Sequence, residues 1–139
     1  MKITINTIPH RSQRYDTCGD WQFAENGDLA ISVSDTGDWR YNALVGIHEA
    51  VEAILCQDRG IREEDVTAFD VEFENERDVV DDSEPGDNEN APYRQEHFFA
   101  TTIERAIALE LGVDWILYEQ SILSLEDTSS DSGLKTDTQ

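Results

Sequence analysis

Two short stretches carry the residue types that could do chemistry: Gly46-Ile47-His48-Glu49-Ala50-Val51-Glu52-Ala53, and Glu96-His97 with Glu104 downstream. On a helix, His48 and Glu52 stand one turn apart on a common face, with Glu49 turned away from it. His97 and Glu104 fall at the border of the apolar stripe of a second helix. If the two helix borders meet, His48, Glu52 and His97 converge as two imidazoles and one carboxylate, with a position left for water. That is the ligand set of catalytic zinc, and Glu49 or Glu104 then serves as general base or as the carboxylate that orients an imidazole. His97 and Glu104 are separated by about 10.5 Å along a straight helix axis, so His97 is the expected ligand of the two. The same residues also fit a simpler arrangement, in which each histidine is partly buried and hydrogen-bonded to a neighbouring carboxylate. The remaining histidine, His10, follows Pro9 and reads as a surface loop residue.

Composition narrows the setting. A chain of 139 residues fits one domain with a real core. Its 31 acidic against 10 basic residues give a net charge of −21. Direct binding to nucleic acid or to an anionic membrane is disfavoured, because phosphate contacts need clustered Lys and Arg. The charge leaves an alternative function open: a non-enzymatic acidic inhibitor or DNA mimic that binds a basic host protein. No apolar run approaches the roughly 20 residues of a membrane span, and Met1-Lys2-Ile3-Thr4 lacks the order of a signal peptide, so a cytoplasmic protein is expected. Cys18 and Cys56 match neither a zinc knuckle nor a redox pair and are expected to be reduced.

The elements that must position the two stretches follow from patterning. Lys2–Ile8 alternates as a strand closed by Pro9. Asp20–Ala24 and Leu29–Val33 alternate around Asn26-Gly27, a hairpin turn, with Trp21, Phe23, Leu29, Ile31 and Val33 on one face. Asp38 is the expected N-cap of a helix running to Gly60. Stepping about 100° per residue from Leu44 puts its apolar centre near Val51, with His48 and Glu52 at the border at roughly 40° and 80°. A shorter helix over residues 62–76 rests on Val66, Phe69 and Phe73, with Asp70 and its other acids on a solvated face. The span from Asp78 to Asn90 reads as a loop beside the site, and its acids do not match the spacing of an EF-hand. A third helix begins at Asn90 or Ala91 and buries Phe99, Ala100, Ile103, Ile107 and Leu111 up to Gly112. Asp114 caps a last helix. The sum is an α+β fold, an N-terminal antiparallel sheet of about three strands on three to four helices, forming one domain over 1–125, with a disordered acidic tail over 126–139.

Two resemblances accompany this reading. Leu44-Val45-Gly46-Ile47-His48-Glu49-Ala50-Val51-Glu52, following a sheet, resembles the active-site helix of zincin metallopeptidases, whose motif is His-Glu-x-x-His. Glu52 stands where the second histidine belongs. The resemblance therefore implies His48 as ligand and Glu49 as base but no peptidase activity. Separately, Ile47–Ala53, Gly60-Ile61, Phe69-Asp70, Glu84-Pro85-Gly86-Asp87, Ala91-Pro92-Tyr93, Glu96-His97 and Gly112-Val113-Asp114-Trp115 together resemble a group of small uncharacterised bacteriophage and prophage proteins, which implies a phage setting and no particular activity. An all-helical nucleotide pyrophosphatase with clustered Glu and magnesium would fit Glu49 and Glu52 but not the hairpin.

Overall fold

The computed structural model describes residues 1–78 and 81–132. Strands β1 (Ile3–Ile8), β2 (Gly19–Phe23) and β3 (Leu29–Ser34) form a sheet against helices α1 (Trp39–Asp58), α2 (Glu63–Asn75), α3 (Arg94–Glu110) and α4 (Trp115–Ser132). The fold is α+β, as the patterning predicts. β2 and β3 pair antiparallel across the Asn26-Gly27 turn, where Gly27 takes a φ of 90° that a side chain would disfavour.

The sheet is mixed instead of wholly antiparallel. β1 runs parallel to β3, from Ile3 opposite Leu29 to Ile8 opposite Ser34, and the strand order is β1-β3-β2. Alternation fixes which side chains share a face, but it leaves the neighbour and direction of a strand open. Here β3, with Leu29, Ile31 and Val33 fully buried, takes the centre, and the span between Ile8 and Leu29 is long enough for the crossover that a parallel neighbour needs.

Asp38 caps α1 through a 2.9 Å bond from Arg40 N, and the helix crosses the sheet at Gly46, where an added Cβ would lie 2.9 Å from Ile5 Cγ2. Its buried residues are Leu44, Val45, Gly46, His48, Glu52, Ala53 and Cys56, while Val51 is half-buried and Ile54 exposed. The buried arc is turned by roughly 120° from the one centred on Val51. His48 and Glu52 lie inside it. α3 behaves alike, burying Glu96, His97, Ala100, Glu104 and Ala108 while Phe99 is exposed and Ile103, Ile107 and Leu111 are half-buried. Both helices carry apolar residues around much of their circumference, so periodicity does not select one arc. The arc adopted lets α1 and α3 pack on each other and pair their polar groups, with Ala53, Ala100 and Ala108 leaving little bulk.

Downstream boundaries shift by similar causes. α3 begins at Arg94, after a turn holding Ala91 and Pro92. Asp114 Oδ1 accepts from Leu117 N at 3.1 Å at the start of α4, which continues past Leu125 to Ser132. The tail expected from 126 is thus helical through Ser132, and residues 133–139 lie outside the described residues. Glu126 turns inward, with its carboxylate accepting from Cys18 Sγ at 3.6 Å, a contact that the polar composition of this segment hides. The loop between α2 and α3 holds a 3-10 turn at Pro85–Asp87, and its residues 79 and 80 lie outside the described residues. Cys18 and Cys56 are free and buried. Among the described residues no helix is long and apolar enough to cross a membrane.

Candidate metal centre

The polar seam between α1 and α3 brings together His48, Glu52 and His97. His48 Nε2 lies 3.2 Å from Glu52 Oε2 and 3.2 Å from His97 Nδ1, and His97 Nδ1 lies 3.1 Å from the same Glu52 oxygen. These three atoms form a nearly equilateral triangle. Tetrahedral zinc with bonds of about 2.0–2.1 Å has ligand–ligand edges of about 3.3–3.4 Å, so the triangle needs little expansion to cap one ion. All three side chains are buried.

The atoms facing outward from the triangle are held in turn. His48 Nδ1 donates to Glu104 Oε1 at 2.7 Å, and Tyr118 Oη donates to Glu104 Oε2 at 2.6 Å. Trp21 Nε1 donates to Glu52 Oε1 at 3.0 Å. Glu104 thereby has both oxygens engaged, which suits it to orienting His48 and not to accepting a proton from water. His97 differs: its Nε2 is buried without a hydrogen bond among the described residues, with Asp87 Oδ1 at 3.3 Å and Glu84 Oε1 at 3.9 Å. Glu96 turns away from the centre to Arg59, at 2.8 Å.

Electrostatics bind the cluster together. Burial works against a charged His48, but the carboxylates of Glu104 and Glu52 outweigh it and hold the ring well above the usual imidazole range. The same contest, with Asp87 and Glu52 on the favourable side, raises His97 to about 10. Glu52 is pushed up by burial and pulled down further by both imidazoles, to about 2. The metal-free centre therefore holds its charge as imidazolium against carboxylate. A metal ion would replace those protons.

No protein-family model, curated protein or solved structure matches this chain. What the site can do is accordingly read from its own atoms and from the space beside them.

That space is a cavity of about 290 Å³ reached by His48, Glu52 and His97. Glu49 lines it too, instead of turning away, because the rotated arc of α1 swings it inward against Gly19, where a Cβ would lie 2.7 Å from Glu49 Cγ. Burial, then the charge of Glu52, holds the Glu49 carboxyl well above the ordinary range. Asp70 also faces the cavity, accepting from Tyr15 Oη at 2.9 Å and from Tyr93 Oη, and burial raises it to about 7. Its expected place on a solvated face is corrected by α2 packing on the Val66 side. The available signal was its position one turn after Val66. Patterning does not reveal Trp21 and Tyr118 as polar partners because their rings read as core, although a buried indole or phenol needs a partner for its N–H or O–H. His10 is also not a free surface residue: its Nδ1 lies 2.8 Å from Ser34 Oγ and its Nε2 3.2 Å from Asp16.

Proposed function

We propose that this chain is a metal-binding protein whose centre of His48, Glu52 and His97 takes zinc and carries hydrolase-like chemistry. The observation that supports this most is the triangle of ligand atoms, 3.1 to 3.2 Å on each side, with Glu104 fixing His48 and Trp21 fixing Glu52 from outside. A buried imidazole whose far nitrogen donates to a carboxylate is the arrangement that orients and strengthens a zinc ligand. Three protein ligands leave a fourth position for water, and zinc lowers the pKa of such a water to about 7.

Glu49, next in the chain to His48 and lining the same cavity, is the group we assign to accept the proton of that water. The charge of a bound ion would draw the Glu49 carboxyl down from its raised value into the ionised form that a base requires. Glu104 is a positioning residue in this scheme. The order His48-Glu49-x-x-Glu52 is that of the zincin helix with a carboxylate in place of the second imidazole, so a substrate other than a peptide is consistent with it. A phage-encoded protein acting in the host cytoplasm is the setting we infer from the resemblance stated above.

Metal analysis of the purified protein, followed by zinc rebinding, tests the reading. One tightly held zinc per chain is expected, lost in both His48→Ala and His97→Ala. Failure of the unsubstituted protein to retain or rebind zinc would overturn it. The net charge of −21 favours a second reading, an acidic inhibitor of a basic host protein. That reading expects binding that weakens steeply with salt and survives both histidine substitutions.

A further inference from the structure

His97 presents two nitrogens to two different sets of carboxylates. Nδ1 belongs to the triangle with His48 and Glu52, whereas Nε2 points to the 3-10 turn between α2 and α3, with Asp87 Oδ1 at 3.3 Å and Glu84 Oε1 at 3.9 Å. The ring is buried, at 3% exposure, and its Nε2 makes no hydrogen bond among the described residues. A buried imidazole nitrogen that has ion-pair contacts but no hydrogen bond of its own calls for a specific cause. Here one donor faces two carboxylates from the same turn, with all three ligand atoms within 4.8 Å of one another.

The turn is built to lie on this ring. Gly86 covers it so closely that an added Cβ would overlap the imidazole at Cγ and Nδ1. Pro85 and the reciprocal bonds between Glu84 and Asp87 fix the turn, with Asp87 Oδ2 accepting from Glu84 N at 3.3 Å. Asp87 Oδ1 is left directed at Nε2. Unlike the inner triangle, both carboxylates are exposed, so an ion reaches them from solvent without opening the seam.

We propose that His97 bridges two metal ions: Nδ1 on the inner ion shared with His48 and Glu52, and Nε2 on a second divalent ion shared with Asp87 and Glu84. The inference rests on the inner centre being a metal site. When the second ion binds, the proton on Nε2 leaves to solvent and the ring becomes an imidazolate joining the two ions. One imidazole nitrogen with two carboxylate oxygens suits zinc or another first-row divalent ion, and water fills the remaining positions. With two of its three protein ligands exposed, the outer site is the weaker one.

Zinc chloride titrated into the full chain, read by native mass spectrometry and calorimetry, separates the possibilities. The unsubstituted protein is expected to take up two ions in sequence, and the double variant Glu84→Gln, Asp87→Asn only one. Both substituted residues are exposed, and circular dichroism checks that the variant is folded. One ion in both proteins overturns the bridge and leaves the inner centre standing. Two ions in both overturn the placement of the outer site. No ion in either overturns the inner centre and the bridge together.

Discussion

The β2–β3 hairpin and the α1–α3 seam are both buried, yet they are built from opposite materials. The hairpin presents Trp21, Leu29, Ile31 and Val33 to the core, and burial of such surface stabilises by roughly 25 cal/mol per Å². The seam buries His48, Glu52, His97 and Glu104, whose desolvation costs much of what their mutual attraction returns. Apolar residues of similar size would hold the helices together at least as well. A seam that keeps four ionisable groups, while Ile54, Phe98, Phe99 and Leu109 stay exposed on the same helices, is shaped by something other than stability. On the reading proposed above, metal binding is that reason.

The contrast is broken most severely by Glu52→Ala. Two imidazoles then lose their shared carboxylate and Trp21 its acceptor, and removing one partner of a buried charged group costs about 3–5 kcal/mol. Chemical denaturation is expected to record that loss in the metal-free protein, together with loss of zinc binding. Glu104→Gln keeps the shape of the seam and removes only the charge behind His48. Zinc affinity measured by competition with a chelator is expected to fall about 10- to 100-fold. In the hairpin, Ile31→Val should destabilise by about 0.5–1.5 kcal/mol and leave zinc affinity unchanged, since no ligand rests on that methyl.

How much of this was readable depends on how local the cause is. Asn26-Gly27 and Asp38 declare a turn and a cap within a few residues, and the structure has both. Two helical wheels place His48, Glu52 and His97 at the borders of the apolar stripes; in the structure they lie within the buried arcs, and the three residues meet. The direction of β1 could not be traced, because alternation is blind to it. The rotation of α1 is hidden because Tyr41, Cys56 and Ala53 extend the apolar surface well beyond the arc of Leu44, Ile47, Val51, Ile54 and Leu55, so more than one arc can be buried. Composition places Asp70 on a solvated face and Glu126 in a disordered tail, although each is held by a partner distant in the chain: Tyr15 for one and Cys18 for the other. Long-range pairing of polar groups leaves no period in the sequence.

The two regions also separate by pH. His97 is raised from 6.5 to about 10, so its stabilising contribution is complete below pH 6.5 and is lost as pH climbs towards 10. Glu52 is lowered from 4.5 to about 2, so its contribution is complete above pH 4.5 and is lost as pH falls towards 2. These two groups contribute most between pH 4.5 and 6.5, and the His97 contribution falls from pH 6.5 upwards, while Asp70, raised from 3.8 to about 7, already withdraws stability between those values. Zinc binds the deprotonated ligands, so the gap in Tm between loaded and metal-free protein should widen over the same rise. A gap that narrows would contradict the assignment of the seam as the ligand set.

The most direct test is the X-ray absorption spectrum of protein loaded with a single equivalent of zinc. The account predicts two imidazole nitrogens and a carboxylate oxygen at about 2.0–2.2 Å, with the imidazole signature lost in His48→Ala, His97→Ala. A shell of oxygen alone, or one containing sulfur, would contradict it.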